Sequence, residues 1–212
     1  MPAGPAAPEP SLQASSAAAQ SAWHAGGAVA TMTAYLAMPS GHAVLKQQQA
    51  VAWLGSTIGA WQLRALAGGQ WGGTFEPGGS KFHLDPGWVA GVSAGRNLLA
   101  QQGARPYVGG SAALAVASST GAGGHRLTAS DLRVGCDVGW LLANRLDLHA
   151  VGRVFGGPVF WRVGGTTEVG SDRWHVQLGA GAGVHLGAGI AVFAEAVPLG
   201  QTGASAGFAA RW

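Results

Sequence analysis

From Trp174 the chain alternates almost without a slip. Trp174, Val176, Leu178, Ala180, Ala182, Val184 and Leu186 are apolar, while Arg173, His175, Gln177, Gly179, Gly181, Gly183 and His185 between them are polar or bare. The final segment repeats the pattern, with Ala204, Ala206, Phe208, Ala210 and Trp212 set against Gly203, Ser205, Gly207, Ala209 and Arg211. A period of two means strand, with one greasy face and one small or polar face. A long strand in water would carry Lys and Glu on its polar face, and here it carries glycine. That combination suits a barrel in a membrane, with hydrocarbon outside and a crowded polar lumen inside.

Composition agrees. Charged residues make up 10% of the chain, against ~25% in soluble domains. Glycine supplies 37 of 212 residues, against a usual ~7%. The net charge of +3 is small and scattered, which argues against a nucleic-acid partner. No uninterrupted apolar run reaches the ~18 residues of a transmembrane helix. Cys136 is alone, which excludes an intrachain disulfide and a cysteine metal site. It falls on an apolar strand face. An exported barrel needs a signal peptide, and residues 1–20 contain neither Lys nor Arg. They read as a Pro/Ala/Ser-rich flexible tail, with the signal expected upstream or hidden by a misassigned start. The barrel is expected over residues 21–212.

Ten strands are expected, near 21–36, 46–58, 61–73, 84–97, 105–118, 129–143, 146–163, 172–186, 189–199 and 202–212, with eight as the alternative count. Short turns near 59–60, 101–104, 144–145 and 187–189 alternate with longer links near 37–46, 73–83, 119–127 and 163–170. This rhythm is that of an antiparallel up-and-down barrel. The link near 200–203 breaks it by being short where a long one is due. In the third strand Trp61 and Trp71 bracket Leu63, Ala65, Ala67 and Gly69. Ten residues at ~3.3 Å each, tilted by ~40°, rise about 25 Å, the height of the apolar band between two aromatic girdles. Trp23, Trp61, Trp140 and Trp212 are expected at the short-turn rim, and Trp71, Trp88, Trp161 and Trp174 at the other. Only Trp53 falls mid-strand.

The remaining faces collect the charges. A charge facing lipid would cost ~2–4 kcal/mol near the bilayer midplane, so Arg64, Asp131, Arg133, Asp137, Asp147, Arg153, Glu195 and Arg211 are expected to point inward. A ten-strand lumen is narrow enough for side chains to fill. The four arginines are therefore expected to pair with the four acids and plug it. Inward glycines such as Gly135, Gly139 and Gly181 leave room for large side chains.

Other chemistry is weakly supported. The run Gly179–Gly183 is followed by strand rather than the helix a dinucleotide site needs. The seven histidines show no metal-ligand spacing, so no metal or cofactor is expected. Ser118 and His125, or the loop carboxylates Glu76, Asp85, Glu168 and Asp172, could build a hydrolase at the rim, but such combinations arise by chance and no catalytic residue is assigned.

Ala204, Ala206, Phe208, Ala210 and Trp212 resemble the C-terminal signature of bacterial outer-membrane β-barrels, whose last strand alternates apolar residues and ends on an aromatic one. The resemblance implies an outer-membrane location, termini on the periplasmic side, and recognition of Phe208 and Trp212 by the barrel-assembly machinery. A lipid face made largely of alanine departs from that family's usual Leu, Val and Tyr. The expected role is structural or surface-binding with a plugged lumen. The alternatives are a small-solute pore, a rim hydrolase, and a soluble barrel holding an apolar ligand.

Overall fold

In a computed structural model, residues 22–212 form thirteen strand segments: β1 (Ala22–Met38), β2 (Gly41–Ile58), β3 (Trp61–Pro77), β4 (Phe82–Leu84), β5 (Gly87–Leu99), β6 (Tyr107–Gly121), β7 (His125–Leu142), β8 (Leu146–Gly156), β9 (Pro158–Val163), β10 (Thr166–Asp172), β11 (Val176–Gly187), β12 (Ile190–Leu199) and β13 (Thr202–Arg211). The structure describes residues 22–212, so the expected tail over 1–20 lies outside it.

Three pairs of segments are single strands with a local break. β4 and β5 both pair with β3, β8 and β9 both pair with β7, and β10 and β11 follow one another along β9 and β8. Ten strands therefore run up and down, each antiparallel to its neighbours. The ring closes where β1 pairs with β13 from His24↔Arg211 to Thr33↔Thr202. At the near end, Trp23 and Trp212 exchange two backbone hydrogen bonds of 3.1 Å. The eight-strand alternative is thereby excluded for this part of the barrel.

The expected long links are not loops. β1 and β2 meet across Pro39–Ser40, β9 and β10 across Gly164–Gly165, and β3 and β4 across residues 78–81. β6 and β7 are joined by one short 3-10 turn, Ala122–Gly124. The strands instead run well past their expected ends, and the two ends of the barrel differ as a result. At the far end the β12–β13 hairpin turns early, at Gly200–Gln201, and β10 pairs directly with β1 above it (Leu36↔Asp172, Ala37↔Ser171). β4 likewise reaches β6 through Leu84↔Gly121. The far tier is thus an eight-stranded ring on a ten-stranded one.

Sidedness inverts between the tiers. In the ten-strand tier the outward residues include Val29, Leu54, Leu63, Val92, Leu114, Leu132, Val154, Val176 and Leu178, all well exposed. The inward residues include His24, Gln49, Arg64, Asp131, Arg133, Asp147, His149, Arg153, Gln177 and Glu195, all buried. In the eight-strand tier the inside is apolar: Leu36, Leu45, Phe75, Leu127, Val159 and Trp161 are at most 3% exposed. The outside there carries His42, Lys46, Arg126 and Arg162. Water outside a strand demands a polar outer face, and lipid outside demands an apolar one.

On β2 the same odd face stays inward throughout: apolar at Ala43 and Leu45, polar at Gln47 and Gln49, and apolar again at Val51 and Trp53. On β3 the chain must shift. Gly72, at φ 61°, forms a bulge opposite Gln47, between the pairs Lys46↔Thr74 and Gln48↔Trp71. The extra residue flips the parity, so Trp71 faces out while Phe75 faces in.

Candidate functional site

Inward side chains of the ten-strand tier form hydrogen-bonded groups within the lumen. Near its junction with the far tier, Arg133 is the hub. Its Nε donates to Asp131, Nη1 donates to Gln177 Oε1 at 3.2 Å, and Nη2 donates to Gln201 Oε1 at 2.6 Å. The guanidinium also lies 5.2 Å from the centre of the Phe155 ring. Gln201 comes from the early β12–β13 turn, and Gln177 Nε2 donates to its carbonyl at 2.9 Å. The early turn is thus tied to β7 and β11.

A second group sits on β8, β6 and β12. Arg153 grips Glu195 with both terminal nitrogens, at 2.6 and 2.8 Å. His149 lies between Asp147 (3.4 Å) and Glu195 (3.9 Å). Tyr107 donates its hydroxyl to Asp147 at 2.8 Å. Glycines make this crowding possible. A Cβ on Gly181 would lie 2.4 Å from His149 Nε2, and one on Gly139 would lie 2.6 Å from the Tyr107 hydroxyl. The opposite wall holds a chain of neutral groups, Gln47, Gln70 and Ser119, bonded at 2.9–3.2 Å. Arg64 there donates to His24 Nε2 at 3.2 Å and to Gln62 Oε1 at 3.0 Å.

Among the eight expected lumen charges, Arg133 joins Asp131 and Arg153 joins Glu195, while Asp147 is held by Tyr107 and His149. Asp137 is half-buried, its carboxylate lying over Gly109. Arg211 departs from the expected network. It is half-buried at the near rim opposite His24, and among the described residues no carboxylate lies within salt-bridge distance of it. The last strand simply ends there, beyond the reach of the central acids.

Seven of the eight expected girdle tryptophans face outward, between 40% exposed (Trp71) and 66% exposed (Trp212). Trp161 is the correction. It is 3% exposed and packs inside against Phe75 (4.8 Å between ring centres), Phe82 (5.4 Å) and His125 (5.5 Å). It shares the odd face of the β8–β9 strand with Asp147, His149 and Arg153, and the break at Gly157 leaves the parity unchanged, so it points inward with them. Trp53 is also inside, 6.0 Å from Phe193. Sequence reasoning missed His24, Tyr107, Gln47, Gln70 and Ser119 as lumen groups, although each sits on an inward parity. Gln201 lies in a turn and carried no periodic signal.

The rim candidates are engaged in structural contacts. Ser118 shares a 3.0 Å hydrogen bond with Thr128, His125 stacks against Phe82 and Trp161, and Asp172 is buried.

A closed ring with an apolar outer band, an aromatic belt at each edge of that band and a polar interior decides the class. The chain has the fold of a transmembrane β-barrel. No family model and no curated protein matches it. Solved structures do resemble it. An outer membrane channel from Pseudomonas putida F1 aligns over 96% of this chain and 99% of its own, at 8% identity and TM-score 0.46. Neisserial surface protein A aligns over 89% of this chain and 97% of its own, at 17% identity and TM-score 0.42. The translocator domain of the autotransporter NalP from Neisseria meningitidis aligns over 91% and 88%, at 12% identity and TM-score 0.46.

Proposed function

We propose that this barrel is a closed, non-enzymatic protein of the outer membrane, with a structural or surface-binding role carried by its far tier. One observation carries this reading: two successive layers of buried side chains line the interior. The first is the charged layer of Arg133, Asp131, Gln177 and Gln201, and the second is the dry aromatic and aliphatic fill of Leu36, Leu45, Phe75, Leu127 and Trp161. A hydrated ion would have to shed its water to pass the second layer, and buried charge without a partner is strongly disfavoured there. The far tier supports the surface-binding half of the reading. Its short hairpins stand on a packed core, so their tips form a preformed surface rather than loose loops.

The test is conductance in planar bilayers. The purified barrel is expected to give no steps above baseline. Replacing Phe75 and Trp161 with Ala should not by itself open a path, because the Arg133 layer remains. Regular, voltage-stable channel openings from the unaltered protein would contradict the proposal and favour a pore. The non-enzymatic part fails if the purified barrel hydrolyses lipid or peptide and loses that activity on Ser118→Ala or His125→Ala.

A further inference from the structure

Across the closure of the ring, the outward residues of β13, β1 and β2 change polarity row by row toward the far end. The first row is small and apolar: Ala206, Val29 and Ala50 are direct partners in register. Two residues further, the partners are Ala204, Thr31 and Gln48, and Trp71 of β3 completes the row. Two residues further again, they are Thr202, Thr33 and Lys46. None of these side chains is buried. Val29, Thr31, Gln48, Trp71, Ala204 and Ala206 line an outward groove of about 420 Å³.

Apolar side chains suit a face turned to lipid, and a carboxamide does not. Gln48 lies beside the Gly72 bulge, where an added Cβ would sit 3.7 Å from its Cδ. Among the described residues, neither the Gln48 amide nor the Thr31 hydroxyl has a hydrogen-bond partner. An amide desolvated without a partner is costly, so the groove favours an occupant that accepts hydrogen bonds. Lys46 likewise has no carboxylate within salt-bridge distance among the described residues. Glu76, on the neighbouring strand, is held by Lys81 at 3.8 Å.

The height of Lys46 is set by its immediate neighbours. On one side the belt residue Trp71 pairs with Gln48, and on the other the belt residue Tyr35 pairs with Val44. Lys46 lies between Gln48 and Val44, so aromatic belt residues bracket it from both adjoining strands. That is the level of lipid headgroups. The groove runs from there toward the acyl region.

We propose that this groove holds one diacyl lipid with an anionic phosphate headgroup. The three rows match the three parts of such a molecule in order. Lys46, with the hydroxyls of Thr33 and Thr202 beside it, takes the phosphate. The Gln48 amide and the Thr31 hydroxyl donate to the ester carbonyls. A chain then lies over Val29, Ala204 and Ala206, where small side chains leave room, with the Trp71 ring as one wall.

The experiment is native mass spectrometry of the folded barrel from a neutral detergent, which counts retained lipids. The probes are phosphatidylglycerol, its di-ether analogue, and phosphatidylcholine with the same chains. Phosphatidylglycerol is expected to give a single bound molecule well before a second. The ether analogue keeps the charge and the chains but lacks the ester carbonyls. It should bind about fivefold more weakly, the worth of one neutral hydrogen bond. Phosphatidylcholine, with no net charge, should also bind more weakly. Lys46→Gln should erase the preference for phosphatidylglycerol over phosphatidylcholine, and Gln48→Leu should shrink that for ester over ether. Ala206→Phe should fill the groove and weaken all three lipids. Every change faces outward, and the shift between unboiled and boiled bands on a gel checks that each variant folds. Equal binding of ester and ether lipids to the unaltered protein would overturn the proposal. So would an Ala206→Phe or Lys46→Gln variant that treats the lipids as the parent does.

Discussion

Each buried charge in the lumen stands or falls with its partner. Arg153 and Glu195 are 9% and 4% exposed and joined by two short hydrogen bonds. Arg153→Gln would leave Glu195 with His149 alone, and removing one member of a buried pair typically costs about 3–5 kcal/mol. Urea unfolding in lipid vesicles is expected to show a loss of that order. Arg153→Gln/Glu195→Gln together should cost less than the sum of the two single changes, because no charge is then stranded.

Tryptophans give a second residue-level contrast. Trp161→Ala empties a core position and should cost about 3–5 kcal/mol, whereas Trp61→Ala removes an interfacial ring and should cost less. Brominated lipid should quench Trp61 emission in a protein retaining only that tryptophan, and should leave Trp161 emission bright in its counterpart. The position of Trp161 was legible in the sequence. Its odd number, in a strand whose odd face already held Asp147, His149 and Arg153, pointed inward. The expectation of a rim position weighted the chemistry of indole above the parity of the strand.

Among the elements, the junction of β10 with β1 is where the two tiers are stitched together. Asp172 pairs there with Leu36, beyond the belt residues Tyr35 and Trp174, and is 4% exposed. Burial pushes its carboxyl up to about 6, and nearby Asp131 adds to the rise while Arg133 and His175 oppose it. In the unfolded chain the same group titrates near 3.8. Between these values the folded protein holds a proton that the unfolded chain has released, so this group's contribution to stability declines as pH rises from about 4 to about 6. A two-unit difference corresponds to at most about 3 kcal/mol. Asp172→Asn is expected to flatten that part of the pH profile, read by urea midpoints at pH 4, 5, 6 and 7. A variant whose profile matches the parent would contradict the assignment.

The strand map itself was legible, because alternation and Gly-rich turns fix the near end within a few residues. The far ends were not. The links near 37–46 and 119–127 looked like loops because they carry His42, Lys46, Arg126 and several Ser, Thr and Gly residues. The alternation continues through them, as Ala43, Leu45 and Leu127 show. Its meaning reverses, however, once water replaces lipid outside.

For the molecule as a whole, lipid and water impose opposite demands on one continuous sheet, and the chain meets both without changing fold. Where hydrocarbon surrounds it, the barrel has ten strands around an interior that mixes ion pairs, neutral polar groups and apolar side chains such as Trp53 and Phe193. Where water surrounds it, eight strands enclose an apolar fill, and the early β12–β13 turn places Gln201 against Arg133 and Gln177 at the junction. The alanine-rich outer face fits this economy of space, since small outward side chains suffice where lipid supplies the packing.

The central claim, inversion of sidedness along unbroken strands, is tested most directly on β2, which passes through both tiers with one parity. Single spin labels from residue 42 to 54, in a Cys136→Ser background in lipid vesicles, would report collisions with oxygen and with a water-soluble nickel complex. Positions 42, 44 and 46 are expected to favour nickel, positions 50, 52 and 54 to favour oxygen, and positions 43, 45, 49, 51 and 53 to be shielded from both. Strong nickel access at 43 and 45, or at 50 through 54, would contradict the account.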